Sequence, residues 1–268
     1  AYREWLGDRR AARQMGVEWV AMGPFRGALD PCDITDDHAH RYIAQRRAAG
    51  IGDGTLWTEL GRLRTALRWA ADPARRLLPW APHIPRPQKP GPRDRWLTHH
   101  EIGRLLAAAE DVPHIRLAIL VMLSTACRPT AALELTWDRV DFERGQIDLR
   151  LDAKGPRKGR AVVPMNRGLR AALGHARAAA LTDDVIEWGG RAPVRSIKTG
   201  FSASVRRAQL ADVTPHVLRH TAAVHMAAAG RPMARISQYL GHSSVAVTER
   251  VYARFAPDHL RDEAETLD

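Results

Sequence analysis

Residues 214–252 read TPHVLRHTAAVHMAAAGRPMARISQYLGHSSVAVTERVY, and a succession of helices is legible in them. Thr214 is an N-cap and Pro215 takes the first helical position, where its missing N–H is no loss, so a helix runs to about Ala229. Arg231-Pro232 opens a short helix that stops at Gly241, a C-terminal glycine, and His242 follows directly. A further helix starts near Ser244, turns Val245, Val247 and Val251 inward and ends near Tyr252. His216 and Arg219 fall in a first turn, where free N–H groups and the helix dipole favour an anion, phosphate above all. Taken singly, each of these residues also has an ordinary reading. His216 and Arg219 suit a solvated helix start, His225 a partly buried helix position, and Tyr239 the core beside Ile236 and Leu240. His220 suits a hydrogen-bonding group behind a site, and His216 with His220 has zinc spacing but lacks the acid that a metalloprotease helix carries.

Upstream, the apolar period changes. Ile147, Leu149 and Leu151 alternate, 155–159 turns, and Ala161–Val163 resumes an extended run, which predicts a β-hairpin. Val112–Ala126 is apolar nearly all round and should be a buried helix that stops at Arg128-Pro129. Thr98 with Glu101 forms a capping box for the helix before it, and 174–200 reads as an alanine-rich helix passing into a loop at Gly189-Gly190. Between Leu77 and Trp96 six prolines alternate with basic residues, which predicts an extended connector. Ahead of it, 34–49 and 55–71 have helical spacing, with Leu56, Leu60, Leu63 and Leu67 on one face. The fold expected is mainly α with a small antiparallel β-sheet or hairpin, an α+β domain following an N-terminal all-α one.

The 268 residues carry 41 Lys+Arg against 30 Asp+Glu, a net charge of +11, so a polyanion, nucleic acid first, is the expected partner. The longest apolar run, Leu117–Leu123, is too short for a bilayer, which argues against a membrane protein, and Cys32 and Cys127 form no disulfide framework, as in a cytoplasmic chain. Lysine is scarce: Lys89, Lys154, Lys158 and Lys198 stand against a large majority of arginines.

Together, His216-Val217-Leu218-Arg219-His220-Thr221, Leu240-Gly241-His242-Ser243, Thr248 and Tyr252 resemble, in order and spacing, the motifs of the tyrosine recombinase (phage integrase) family of site-specific recombinases. Ser124-Thr125-Ala126-Cys127-Arg128 with Leu133, Leu135 and Trp137 is similar to its first arginine box, and Lys154 in Lys154-Gly155-Pro156 to its hairpin lysine. Two features depart from the pattern: Ala131 stands where an acid is common, with Glu134 as a replacement, and the longer hairpin leaves Lys158 beside the preferred Lys154.

The resemblance implies a helical core-binding domain over 1–78, shortened at its N-terminus since Ala1 falls inside an expected helix, a linker over 79–95 and a catalytic domain over 96–268. It implies cleavage and rejoining of double-stranded DNA through a 3′-phosphotyrosine, without metal, ATP or cofactor. Arg128, Arg219 and His242 would hold the phosphate, Tyr252 attack it, His216 take the tyrosine proton and Lys154 protonate the leaving oxygen. A lysine suits that acid because a guanidinium does not release its proton. The partners implied are a specific DNA site, a homotetramer on it, and DNA-bending accessory proteins. The segment 258–267 is expected as a short helix docking on a neighbouring protomer. Three rival readings are a type IB topoisomerase, a DNA-binding member that has lost catalysis, suggested by Ala131, and a zinc hydrolase.

Overall fold

A computed structural model describes residues 1–23, 29–91, 94–150, 161–192, 194–257 and 267. The chain divides into two compact units, Ala1–Arg93 and Asp94–Asp268.

The first unit is helical in its described residues: α1 (Tyr2–Leu6), α2 (Arg10–Ala21), a 3-10 turn (Pro31–Asp33), α3 (Asp36–Ala48) and α4 (Asp53–Ala70). The leucine stripe of α4 is what it buries, Leu56, Leu60 and Leu67 packing with Tyr42 and Ile43 of α3. Each fully buried leucine contributes about 1.5–3 kcal/mol. Glu59, on the same face, is buried too, and accepts a hydrogen bond from the Tyr42 hydroxyl at 2.7 Å and one from Arg46 at 2.7 Å. The proline-rich stretch has neither helix nor strand where it is described, yet Ile84 inserts into the first unit's core at 1% exposure.

The second unit opens with α5 (His99–Ala107), closed by the expected capping box. The Glu101 amide donates to Thr98 Oγ1 at 3.2 Å, and the Thr98 amide to Glu101 Oε2 at 2.9 Å. The Arg95 guanidinium beside it holds the Glu101 carboxyl at about 2. Helix α6 (Pro113–Thr125) follows, buried as its composition demands, and then α7 (Pro129–Leu133). The sheet has three strands, β1 (Val140–Asp141), β2 (Gln146–Asp148) and β3 (Val162–Pro164), antiparallel in that order. Ile147 pairs with Val140 on one side and Val163 on the other, and all three face the core. The hairpin expectation covers β2 and β3. Strand β1 is only two residues long, too short for alternation to betray it.

Helix α8 (Arg167–Ala178) starts on Asn166, whose side chain accepts from the Leu169 amide at 2.8 Å. It ends well before the turn at Gly189 and Gly190, both at positive φ. Then come α9 (Lys198–Arg207), α10 (Pro215–Ala228), α11 (Met233–Leu240), α12 (Val245–Tyr252) and a 3-10 turn (Ala253–Phe255). Helix α10 packs along α6, which brings residues far apart in sequence into one core. The expected helix at 258–267 lies outside the described residues except for Leu267.

Candidate active site

Two chain turns aim the site. Helix α6 ends at Ala126, whose left-handed backbone (φ 49°) is a conformation that disfavours a residue with a Cβ by about 1–2 kcal/mol. That turn directs the Ala126 carbonyl at Arg219, whose Nη1 donates to it at 2.8 Å. Helix α11 ends at Gly241, left-handed at φ 63°, and the preceding Leu240 carbonyl accepts from Arg219 Nη2 at 2.8 Å. The turn also delivers His242, whose Nε2 lies 3.0 Å from the same Nη2. His242 is oriented from behind by Thr248, fully buried on α12, with Nδ1 and Oγ1 2.8 Å apart. Since Arg219 can only donate, Nε2 of His242 accepts and Nδ1–H donates to the threonine.

Arg219 itself is 9% exposed. Burial first, and the charge of Arg128 second, pull its guanidinium down to about 10, so it stays a cation at neutral pH. No carboxylate pairs with it among the described residues. Burial, with the charges of Arg219 and Arg128 adding to it, lowers the His242 imidazole below its usual value and keeps it neutral at pH 7. A buried cation without a counter-ion is unfavourable by several kcal/mol unless an anion arrives.

Tyr252 ends α12 and is 7% exposed, its ring part of a small cluster with Ala223, Val224, Ile236 and Leu240. Burial raises its phenol, with the Arg219 charge opposing. Its hydroxyl lies 3.3 Å from Nδ1 of His220, not at His216, which is exposed in the first turn of α10. Arg128 is half-buried at the N-cap of α7, near enough for its charge to act on Arg219 and His242. Ala131 is buried in the core, and Glu134 is exposed, its carbonyl accepting from Arg139. Lys154 and Lys158 lie outside the described residues.

Of the expected residues, then, Arg219 and His242 are in hydrogen-bond contact, and Arg128 and Tyr252 lie within their electrostatic reach. The residue underestimated from sequence is His220, because nothing local marks a contact across 32 positions. Two other candidates are structural: Tyr239 donates to the Ser124 carbonyl at 2.6 Å, and His225 Nε2–H to the Leu97 carbonyl at 2.9 Å. Among the described residues no three His, Cys, Asp or Glu side chains converge as a metal-holding group, and no helix is long and apolar enough to cross a membrane.

The sequence profile of the phage integrase family matches residues 95–259. Over 243 residues the chain is 29% identical to the tyrosine recombinase XerA of Thermococcus kodakarensis, covering 87% of this chain and 82% of that one. It is 27% identical over 234 residues to the integrase of Salmonella phage P22, covering 80% of this chain but only 57% of that protein. The solved lambda integrase tetramer bound to a Holliday junction superposes with a TM-score of 0.77 at 18% identity, covering 95% of this chain and 76% of that one, a likeness of fold.

Proposed function

This chain belongs to the phage integrase family, and from that premise we propose that it is a site-specific DNA recombinase that cleaves and rejoins DNA through a 3′-phosphotyrosine at Tyr252. The observation that carries the reading is the buried, uncompensated guanidinium of Arg219 beside Arg128, His242 and the nucleophile. Three of the five guanidinium N–H groups are engaged by Ala126, Leu240 and His242, which leaves two for the oxygens of an anion. A DNA phosphodiester supplies that anion, and Arg128 shares its charge. Neutralising a phosphate in a dry pocket is what an oxygen nucleophile needs before it can attack.

Phosphate binding also changes the state of His242. An anion opposes the burial and cationic neighbours that keep it neutral, so it gains a proton and turns Nε2–H toward a phosphate oxygen. Lys154 is assigned the protonation of the departing 5′ oxygen, and the phosphotyrosine bond keeps the energy of the broken linkage, so rejoining needs no ATP. No metal or cofactor enters these steps. The domains follow the family: a helical core-binding domain over 1–78, a linker over 79–95 and a catalytic domain over 96–268. A homotetramer on DNA is the assembly proposed, as for the lambda integrase on its junction, with DNA-bending proteins as accessory partners and the cytoplasm as its place.

The test is covalent trapping on nicked suicide duplexes drawn from the DNA flanking its gene, in EDTA. The wild type is expected to give a shifted band on a denaturing gel, and Tyr252→Phe to bind the DNA but give none. A band that persists in the variant, or wild-type protein that binds and never cleaves, overturns the reading.

A further inference from the structure

We propose that His220 accepts the proton of the Tyr252 hydroxyl, with Asp94 as the positioning residue that sets its tautomer. This rests on the recombinase reading and assigns one of its proton transfers to the second histidine of the 216–221 stretch rather than to His216.

The geometry is a line of three groups. Tyr252 Oη lies 3.3 Å from His220 Nδ1, with the rings 5.3 Å apart and inclined by 37°. On the far side, His220 Nε2 is buried without a hydrogen-bond partner, and the nearest anion is Asp94 Oδ1 at 3.8 Å. That carboxylate is held in turn by Arg254, two residues after the nucleophile. The edge of Phe255, 6.3 Å away, closes the histidine from another side. A carboxylate facing Nε2 favours the proton on that nitrogen, which leaves the Nδ1 lone pair pointing at the tyrosine hydroxyl. A contact of 3.3 Å in a DNA-free protein is what a base shows before substrate tightens it.

Burial keeps His220 neutral, the state a proton acceptor requires; Asp94 pulls its affinity for a proton up and Arg254 pulls it down. In cleavage the Oη–P bond forms and the P–O5′ bond breaks. The tyrosine proton passes to His220 Nδ1 while the leaving oxygen takes one from the acid assigned to Lys154. On rejoining, the 5′ hydroxyl gives its proton back to Lys154 as the O5′–P bond forms, the Oη–P bond breaks and His220 returns its proton to Oη. His216, exposed one turn earlier, is not the group that meets the tyrosine hydroxyl.

The experiment compares His220→Asn, His216→Asn and Asp94→Asn with wild type on the same duplexes. Adduct rates are read from pH 5.5 to 9 on normal DNA and on DNA with a 5′-bridging sulfur, which departs without needing a proton. His220→Asn should slow cleavage about 100-fold on both substrates, with DNA binding retained and the deficit shrinking as pH rises and hydroxide takes over. Asp94→Asn, at a half-exposed position that leaves folding intact, should move the acid limb of the profile to lower pH if Asp94 acts on His220 and leave it in place if it does not. Only the shift to lower pH fits, since losing the carboxylate lowers the histidine's proton affinity. The proposal is overturned if His220→Asn cleaves within about 3-fold of wild type with the same profile, if the sulfur substrate rescues it, or if Asp94→Asn fails to shift the limb downward. Wild type that makes no adduct at all would instead remove the recombinase reading itself.

Discussion

Among the described residues each unit buries one charged side chain, and the two are treated in opposite ways. In the first, Glu59 is 3% exposed and its carboxylate is answered at once by Arg46 and the Tyr42 hydroxyl, both at 2.7 Å. In the second, Arg219 is 9% exposed and meets two carbonyls, a neutral histidine and the repulsion of Arg128. A charge whose partner is built into the chain holds the fold together. A charge whose partner is missing from the described residues stores an affinity for something that comes from outside. The contrast separates glue from site without reference to any motif.

The sharpest way to break that contrast is Arg219→Met, which keeps much of the stem and removes the charge. Cleavage should fall about 100–1000-fold, as when an electrostatic partner of a reacting phosphate is lost. The two freed carbonyls and the relieved charge act in opposite directions on stability, so the melting temperature should move less than in Glu59→Gln. A variant that unfolds outright would make Arg219 glue after all. Glu59→Gln is the matched experiment on the other side. It leaves Arg46 without its carboxylate, and breaking a buried pair this way should destabilise the first unit by about 3 kcal/mol. Urea unfolding followed by tryptophan fluorescence would read that, while the cleavage rate of the folded fraction at saturating DNA should stay within about 2-fold of wild type.

The smallest effect is in pH. Burial lowers the imidazoles of His114, His220, His225 and His242 below the ordinary value of about 6.5. The unfolded chain therefore binds more protons than the folded one once the pH drops below that value. Stability present at pH 7 is lost as the pH falls through the lowered values. Melting curves at pH 7 and 5.5 should show the second unit weakening on acidification, and unchanged curves would mean the imidazoles titrate as if exposed.

Several local features follow from local residues, although Val247, expected inward, is exposed. The Thr98–Glu101 capping box, the stop at Gly241 and the helix from Pro215 each depend on hydrogen bonds within a few positions, which the side chains there dictate. The leucine stripe of α4 was equally legible, but Glu59 on its inner face was not, because its partners sit on another helix. Strand β1 escaped for want of length, and Ile84 because a proline-rich run gives no period by which to judge what it buries.

The order and spacing of His216, Arg219, His242 and Tyr252 are properties of the chain alone, and they carried the family with them. What the tertiary structure decided is which groups touch. It directed the Ala126 and Leu240 carbonyls onto one guanidinium and turned the Tyr252 hydroxyl to His220 rather than His216. Contacts between residues 21 to 93 positions apart follow from how helices pack, and packing is a sum over the whole core that no short stretch of sequence contains.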